Sequence, residues 1–318
     1  LSDTLVAEES KVSEAEESKP LRPTDAEAAE IDRKSRFWRS EEPGWIWVGS
    51  EEHKRLFCRM LLETHNPYKP AVMDWPKLEP EALKRITSLP IWDIAVQTEG
   101  RAQLRVHAYA KRVRDPLLHE AMIMDGGEEE RHKVVLSKLV EAYGIPLAPE
   151  PIYQMPKDIE WGWLVTGYSE CIDSFFAFGL FEAAKRTGYF PEELVETFEP
   201  VMQEEARHIL FFANWIAWHR RQLSWWRRIA FELKVARVWA FLIWERIGIA
   251  RGLDNGGEMQ DANFTLTGHQ QIGIDLNLSE LLELCLAEDW RRLDGYDSRL
   301  LRPTFMPKIA RLVRRFLR

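Results

Sequence analysis

Two stretches of this sequence place carboxylates and an imidazole at one helical spacing: Glu128-Glu129-Glu130-Arg131-His132 and Glu204-Glu205-Ala206-Arg207-His208. Each contains Glu-x-x-His, with another Glu just ahead and Arg directly before the His. Residues three apart on a helix share a face, so each copy aims one carboxylate and one imidazole at the same point. A single copy reads as a solvated helix face. Two copies on two helices, joined by a lone Glu from each of two others, make the ligand set of a two-metal carboxylate site. Hard oxygen donors with one imidazole per metal suit iron or manganese.

The elements that must position these residues are helices, because helical periodicity dominates from residue 50 onward and strand signals are nearly absent. The spacing predicts four long helices over about 90–113, 116–143, 159–187 and 191–221, the last containing Pro200 as a point of kinking. The first pair is joined tightly around Asp115-Pro116 and the second around Gly188 to Pro191. Between the pairs lies a stretch with Pro146, Pro149, Pro151 and Pro156, which suits neither a helix nor a central strand. The expected fold is therefore all-α, two antiparallel hairpins with one long crossover, the ferritin-like connectivity. The halves repeat: the Glu-x-x-His copies lie 76 positions apart, and Glu99 and Glu170, upstream of Glu129 and Glu205 by similar distances, lie 71 apart.

In this reading Glu129 and Glu205 bridge two metals, His132 and His208 cap one each, and Glu99 and Glu170 complete the two ends. Buried, uncompensated carboxylates are strongly penalised, which favours a metal among them. Glu182 competes with Glu170, but Lys185 and Arg186 beside it indicate a solvated face. Glu128 and Glu204 are assigned to the surroundings of the site or to the surface, with Arg131 and Arg207 paired to carboxylates there. Asp125 and Asp173 sit about one turn from Glu129 and Glu170, where each could accept the free N–H of a ligand histidine or be an ordinary structural carboxylate. His107, two turns beyond Glu99, is read as a core histidine in preference to a seventh ligand. Cys171 points away from Glu170 and is read as packing.

The doubled motif resembles the ferritin-like di-iron carboxylate superfamily, which includes rubrerythrins, bacterioferritins and di-iron oxygenases. The resemblance covers about residues 90–222 and carries over Glu99, Glu129, His132, Glu170, Glu205 and His208. It implies two iron ions, or manganese, and oxidoreductase chemistry with dioxygen, a small-molecule or lipid-like substrate and an external electron donor. The sequence departs from ferritins in its flanking regions and lacks the paired Cys-x-x-Cys knuckles of rubrerythrin-type proteins. Ferroxidase or iron handling, and a non-catalytic bundle with a structural metal, are the alternative readings.

Around this bundle the sequence divides into an acidic tail over 1–35, expected to be disordered because it has little apolar surface to bury, a pre-domain over 36–89 and a C-terminal region over 223–318. The pre-domain holds a helix from about Ser50 to Glu63, then an irregular stretch punctuated by Pro67, Pro70, Pro76 and Pro80. Residues 225–249 read as a Trp-rich helix apolar on more than one side, followed by a polar loop at Asp254-Asn255-Gly256-Gly257 and a helix over about 279–290. Phe305 to Arg318 is amphipathic, with an apolar face opposite Lys308, Arg311, Arg314 and Arg315. That face either packs onto the bundle or, over 304–318, contacts an anionic membrane or a partner.

The net charge of −8 argues against general nucleic-acid binding. Three widely spaced cysteines, Cys58, Cys171 and Cys285, read as reduced thiols. With neither a leader pattern nor a membrane-spanning window, the expectation is a cytoplasmic protein, membrane-peripheral if 304–318 contacts a bilayer, for which a homo-oligomer is compatible.

Overall fold

The computed structural model describes residues 23–71, 75–89, 91–250 and 277–317. Among them the chain forms ten helices: α1 (Asp25–Arg36), α2 (Glu51–Glu63), α3 (Pro80–Thr87), α4 (Trp92–Ala110), α5 (Pro116–Ala142), α6 (Ile159–Arg186), α7 (Glu192–Gln222), α8 (Trp225–Ala250), α9 (Leu278–Asp294) and α10 (Phe305–Phe316). The described residues contain no β-strand, only an isolated bridge between Trp38 and Tyr296.

Local chemistry sets the boundaries of the long helices. Asp115 caps α5 by accepting from the Leu118 N–H, with Pro116 in the first turn, where a missing N–H costs nothing. Asp158 caps α6 through the Trp161 N–H. Gly144 and Gly188, at φ +60° and +64°, let the chain reverse just past α5 and α6. The proline-rich crossover after Gly144 is non-helical up to Asp158. α4 packs on α5 and α6, and α7 on α6 and α5, so the four long helices close a ring. α2 lies against α5 and α7, while α8 and α9 cover α6.

Two apolar clusters hold this arrangement. The larger runs from α2 through the ring to α8 and α9, and includes Phe57, Trp163, Phe178, Phe211 and Trp215. The smaller joins α3 to the start of α4, the end of α5 and the start of α7 through Ile86, Trp92, Leu139 and Leu194. Phe175, Phe176, Phe178 and Phe181 of α6 are all buried, so that aromatic run is core and not the lining of an open pocket.

Three expectations are corrected. The acidic tail does not extend to residue 35: α1 is closed by a full capping box, in which Thr24 and Glu27 satisfy each other's backbone N–H groups, and Ser35 is buried. Residues 1–22 lie outside the described residues, as do Pro90 and the polar loop at 254–257. Pro80 does not interrupt structure but starts α3, because proline is well suited to a first helical turn. Most of the apolar face of α10 is not packed onto the bundle: Pro307 and Ala310 are buried and Val313 packs partly buried against the core, but Phe305, Ile309, Leu312, Phe316 and Leu317 are exposed.

The chain's two flanking regions also meet each other. The Trp38 N–H donates to the Gly295 carbonyl, the Ser40 N–H to Asp297, and the Tyr296 hydroxyl to the Ser35 carbonyl. Glu199 of α7 anchors this corner, with Arg36 Nη1 at 3.1 Å and Arg292 Nη2 at 3.0 Å. Burial pushes the Glu199 carboxyl up, but Arg292 and Arg36 outweigh it and hold it below the ordinary range. A carboxyl lowered on folding contributes stability that is complete above its unfolded pKa and is lost as pH falls through the folded one. Glu199→Gln should therefore destabilise the protein by about 3 kcal/mol at neutral pH, since Arg292 is fully buried. In urea titrations the gap from wild type should narrow as pH drops below about 4.3, the ordinary glutamate value.

Candidate metal centre

Each half of the repeat contributes its motif from one helix, α5 or α7, and its lone glutamate from the other helix of the hairpin, α4 or α6. Glu99, Glu129, His132 and Glu205 can each offer one ligand atom within 4.8 Å of the others. A second group, Asp125, Glu129 and His208, meets the same criterion, so Glu129 is common to both. The two imidazole rings lie 5.7 Å apart. His132 Nδ1 is 3.2 Å from Glu205 Oε1 and 3.9 Å from Glu99 Oε2, and His208 Nδ1 is 2.8 Å from Glu129 Oε1.

The partners of the outer imidazole nitrogens define the tautomers. His132 Nε2 lies 2.7 Å from Glu204 Oε2, and His208 Nε2 lies 2.7 Å from Glu128 Oε2. A carboxylate only accepts, so Nε2 carries the donated proton in each case, and Nδ1, which faces Glu205 or Glu129, is the atom that would turn to a metal on losing its own proton. The pairing is crossed: the first Glu of each motif holds the histidine of the other. Glu128 and Glu204, not Asp125 or Asp173, are thus the principal acceptors. Asp125 lies 3.4 Å from His208 Nε2, while Asp173 turns to Arg246 and Ser169.

The arginines complete the crossing. Arg207 Nη1 donates to Glu128 at 2.9 Å and Arg131 Nη2 donates to Glu204, as the sequence reading had it for this pair of residues. Both arginines are fastened by the C-terminal end of α2, whose last carbonyls have no helical partner. Arg207 reaches the Leu61 carbonyl and the Thr64 hydroxyl, each at 2.7 Å, and Arg131 reaches the Asn66 carbonyl at 2.8 Å. His65 adds a 2.5 Å contact to Glu128. The sequence carries no local signal for this role of α2, because its contacts span 63 to 146 residues.

His132 Nδ1 and Glu170 Oε1 are buried without a hydrogen-bond partner, and His208 Nδ1 and Glu129 Oε1, 2.8 Å apart, make no well-aligned hydrogen bond. Buried polar atoms are nearly always satisfied, and this set of orphans is what a bound cation would satisfy. The electrostatics agree. Burial, reinforced by the charges of Glu129 and Glu205, holds Glu99 well above the ordinary carboxyl range. Burial and the charges of Glu129 and Asp125 do the same to Glu170. Burial alone would pull His132 down, but Glu204 and Glu205 outweigh it and raise it. Glu128 goes the other way: burial pushes it up, yet Arg207 and His208 hold it well below the ordinary range. Glu99 and Glu170 therefore lack countercharge, whereas the imidazoles of His208 and His132 hold Glu129 low against its burial, as Arg207 and His208 do for Glu128.

Of the six residues singled out in the sequence, Glu99, Glu129, His132 and Glu205 share one group and His208 joins Glu129 in the second. Glu170 lies outside both, although its field reaches Glu129, Asp125 and Glu205. Asp125 stands in the second group instead. His107 is in neither; its ring packs on Gly126, where a Cβ would approach Nε2 to 2.9 Å. Glu182 pairs with Lys185 and Arg186 as expected.

The chain is thus an all-helical protein with a buried Glu/His cluster able to hold metal and compatible with a two-iron site. No protein-family model matches the chain, and neither a curated protein nor a solved structure matches it. Removing the partner of a ligand histidine lowers metal affinity by roughly 10- to 100-fold in known sites. Glu204→Ala and Glu128→Ala should both show that loss in metal titrations. They should differ in thermal stability: Glu128→Ala strands the fully buried Arg207 and should cost about 3–5 kcal/mol. Glu204→Ala leaves an Arg131 that is 22% exposed and should cost less.

Proposed function

We propose that this protein is a di-iron carboxylate oxidoreductase of ferritin-like type that uses dioxygen to oxidise an organic substrate. One observation carries the reading: in each half, an imidazole tethered at Nε2 turns its Nδ1 to carboxylates, and one carboxylate, Glu129, belongs to both groups. Glu99, Glu129, His132 and Glu205 would hold one metal; Glu129, His208 and Asp125 or Glu170 would hold the other. When bound, the two ions supply the redox chemistry of dioxygen activation, which side chains lack.

What the chain contributes is position and access. The crossed Glu–His pairs fix both ring orientations before any metal arrives. On the α2 side the Glu128 and Arg207 side chains are fully buried, while Arg131 and His65 beside them are 22% and 23% exposed. Of the candidate ligands, Glu99 and Glu205 have side chains 17% and 12% exposed. A substrate would approach there, next to α4. Ser174 Oγ, 3.3 Å from Glu205 Oε2, orients that carboxylate.

Glu129→Ala combined with Glu205→Ala should reduce bound iron to background and abolish oxygen uptake by the ferrous-loaded protein, measured by metal analysis and an oxygen electrode. Unchanged iron content and oxygen consumption would end this reading. Uptake that continues only as long as ferrous iron is supplied, with no organic substrate oxidised, would replace it by iron oxidation.

A further inference from the structure

α8 has two apolar faces. Phe231, Val235, Val238 and Leu242 are buried, in the large apolar cluster to which α6 also contributes. On the other side Trp225, Trp226, Ile229, Leu233, Ile243 and Trp244 are exposed. At 100° per residue these six fall in one stripe about 100° wide. The positions between them on that stripe are Ala236 and Ala240, both exposed, so no charge interrupts it. From Trp225 to Trp244 it runs roughly 28 Å at 1.5 Å per residue. Exposed apolar residues scattered singly need no explanation, but a continuous exposed stripe of this length marks an interaction surface.

α10 extends it. Trp239 of α8 meets Phe305 of α10 with ring centroids 4.1 Å apart. Beyond that contact Ile309, Leu312 and Phe316 are exposed, Phe316 at 82%. The charge here is opposite to that of the chain. α10 carries Lys308, Arg311, Arg314 and Arg315 and no acidic residue, in a protein of net charge −8. Arg227, Arg228 and Arg237 flank the α8 stripe and are exposed.

We infer that α8 and α10 form a surface that docks this protein onto an anionic phospholipid bilayer, lying in the interface and not crossing it. No helix among the described residues is long and apolar enough to cross. Cationic side chains beside an apolar stripe match anionic headgroups above hydrocarbon. Trp225, Trp226 and Trp244, at the two ends of the stripe, are the residue type that settles at headgroup level. A second copy fits less well, because an isologous pairing would bring the cations of α10 against each other. The surface contains none of the metal-site residues, so the inference stands or falls separately from the proposed oxidation chemistry.

The test is co-sedimentation of the full chain with vesicles of phosphatidylcholine alone and of phosphatidylcholine mixed with phosphatidylglycerol. Binding to the mixed vesicles only, weakened by added salt, is expected. Lys308→Gln, Arg311→Gln and Arg315→Gln together should weaken partitioning on the order of a hundredfold, at roughly fivefold per cation. Trp226→Ser with Trp244→Ser and Phe316→Ser should abolish it with circular dichroism unchanged, since all three side chains are exposed. No binding to mixed vesicles, binding indifferent to lipid charge, or concentration-dependent self-association in place of vesicle binding would each overturn the inference.

Discussion

The structure depends on how a helical bundle accommodates seven acidic side chains and two imidazoles at one level of its interior. Charges taken out of water need compensation close by. Here it is arranged in two layers. The outer carboxylates, Glu128 and Glu204, are neutralised by Arg207 and Arg131 and tied to the imidazoles. The inner ones, Glu99, Glu129, Glu205, Glu170 and Asp125, have the two imidazoles in place of arginines as their cationic neighbours. Such a site is organised before a cation enters, because its outer layer is satisfied without one.

Several features of the fold follow from that constraint. The arginines must be held, and a helix end with unpaired carbonyls is a suitable anchor. The C-terminus of α2 does this through Leu61, Thr64 and Asn66. The pre-domain is thus part of the site's scaffold, not an appendage. α2 in turn packs against α5 and α7 on that side of the ring. At the far side of the ring, α8 serves a different purpose. It shields α6 with one face and presents the other, still apolar, outward.

Much of this was legible in the residues. The helices needed only periodicity, turns and prolines: the joins at Asp115-Pro116 and at Gly188 to Pro191 mark boundaries that match the structure within a residue or two. The Glu-x-x-His copies and Glu99 were legible because helical spacing is local. Other features were hidden. That Glu128 serves His208 and Glu204 serves His132 could not be read, since each pair lies 72 or 80 residues apart. Asp125 against Glu170 was equally undecidable, because both lie on ring-facing positions and only helix placement separates them. α1 was concealed by its acidic composition, although Thr24 and Glu27 held the spacing of a capping box.

By itself, the sequence determined an all-α chain, the positions of its long helices and a set of residues fit to bind metal, because each of these follows from spacing along a single helix. Tertiary structure alone decided which carboxylate serves which histidine, that α2 and the residues after it anchor both arginines, and that α10 leaves most of its apolar face exposed. Those outcomes depend on how helices distant in sequence rotate and pack against each other, and local patterns of hydrophobicity and charge do not encode that rotation.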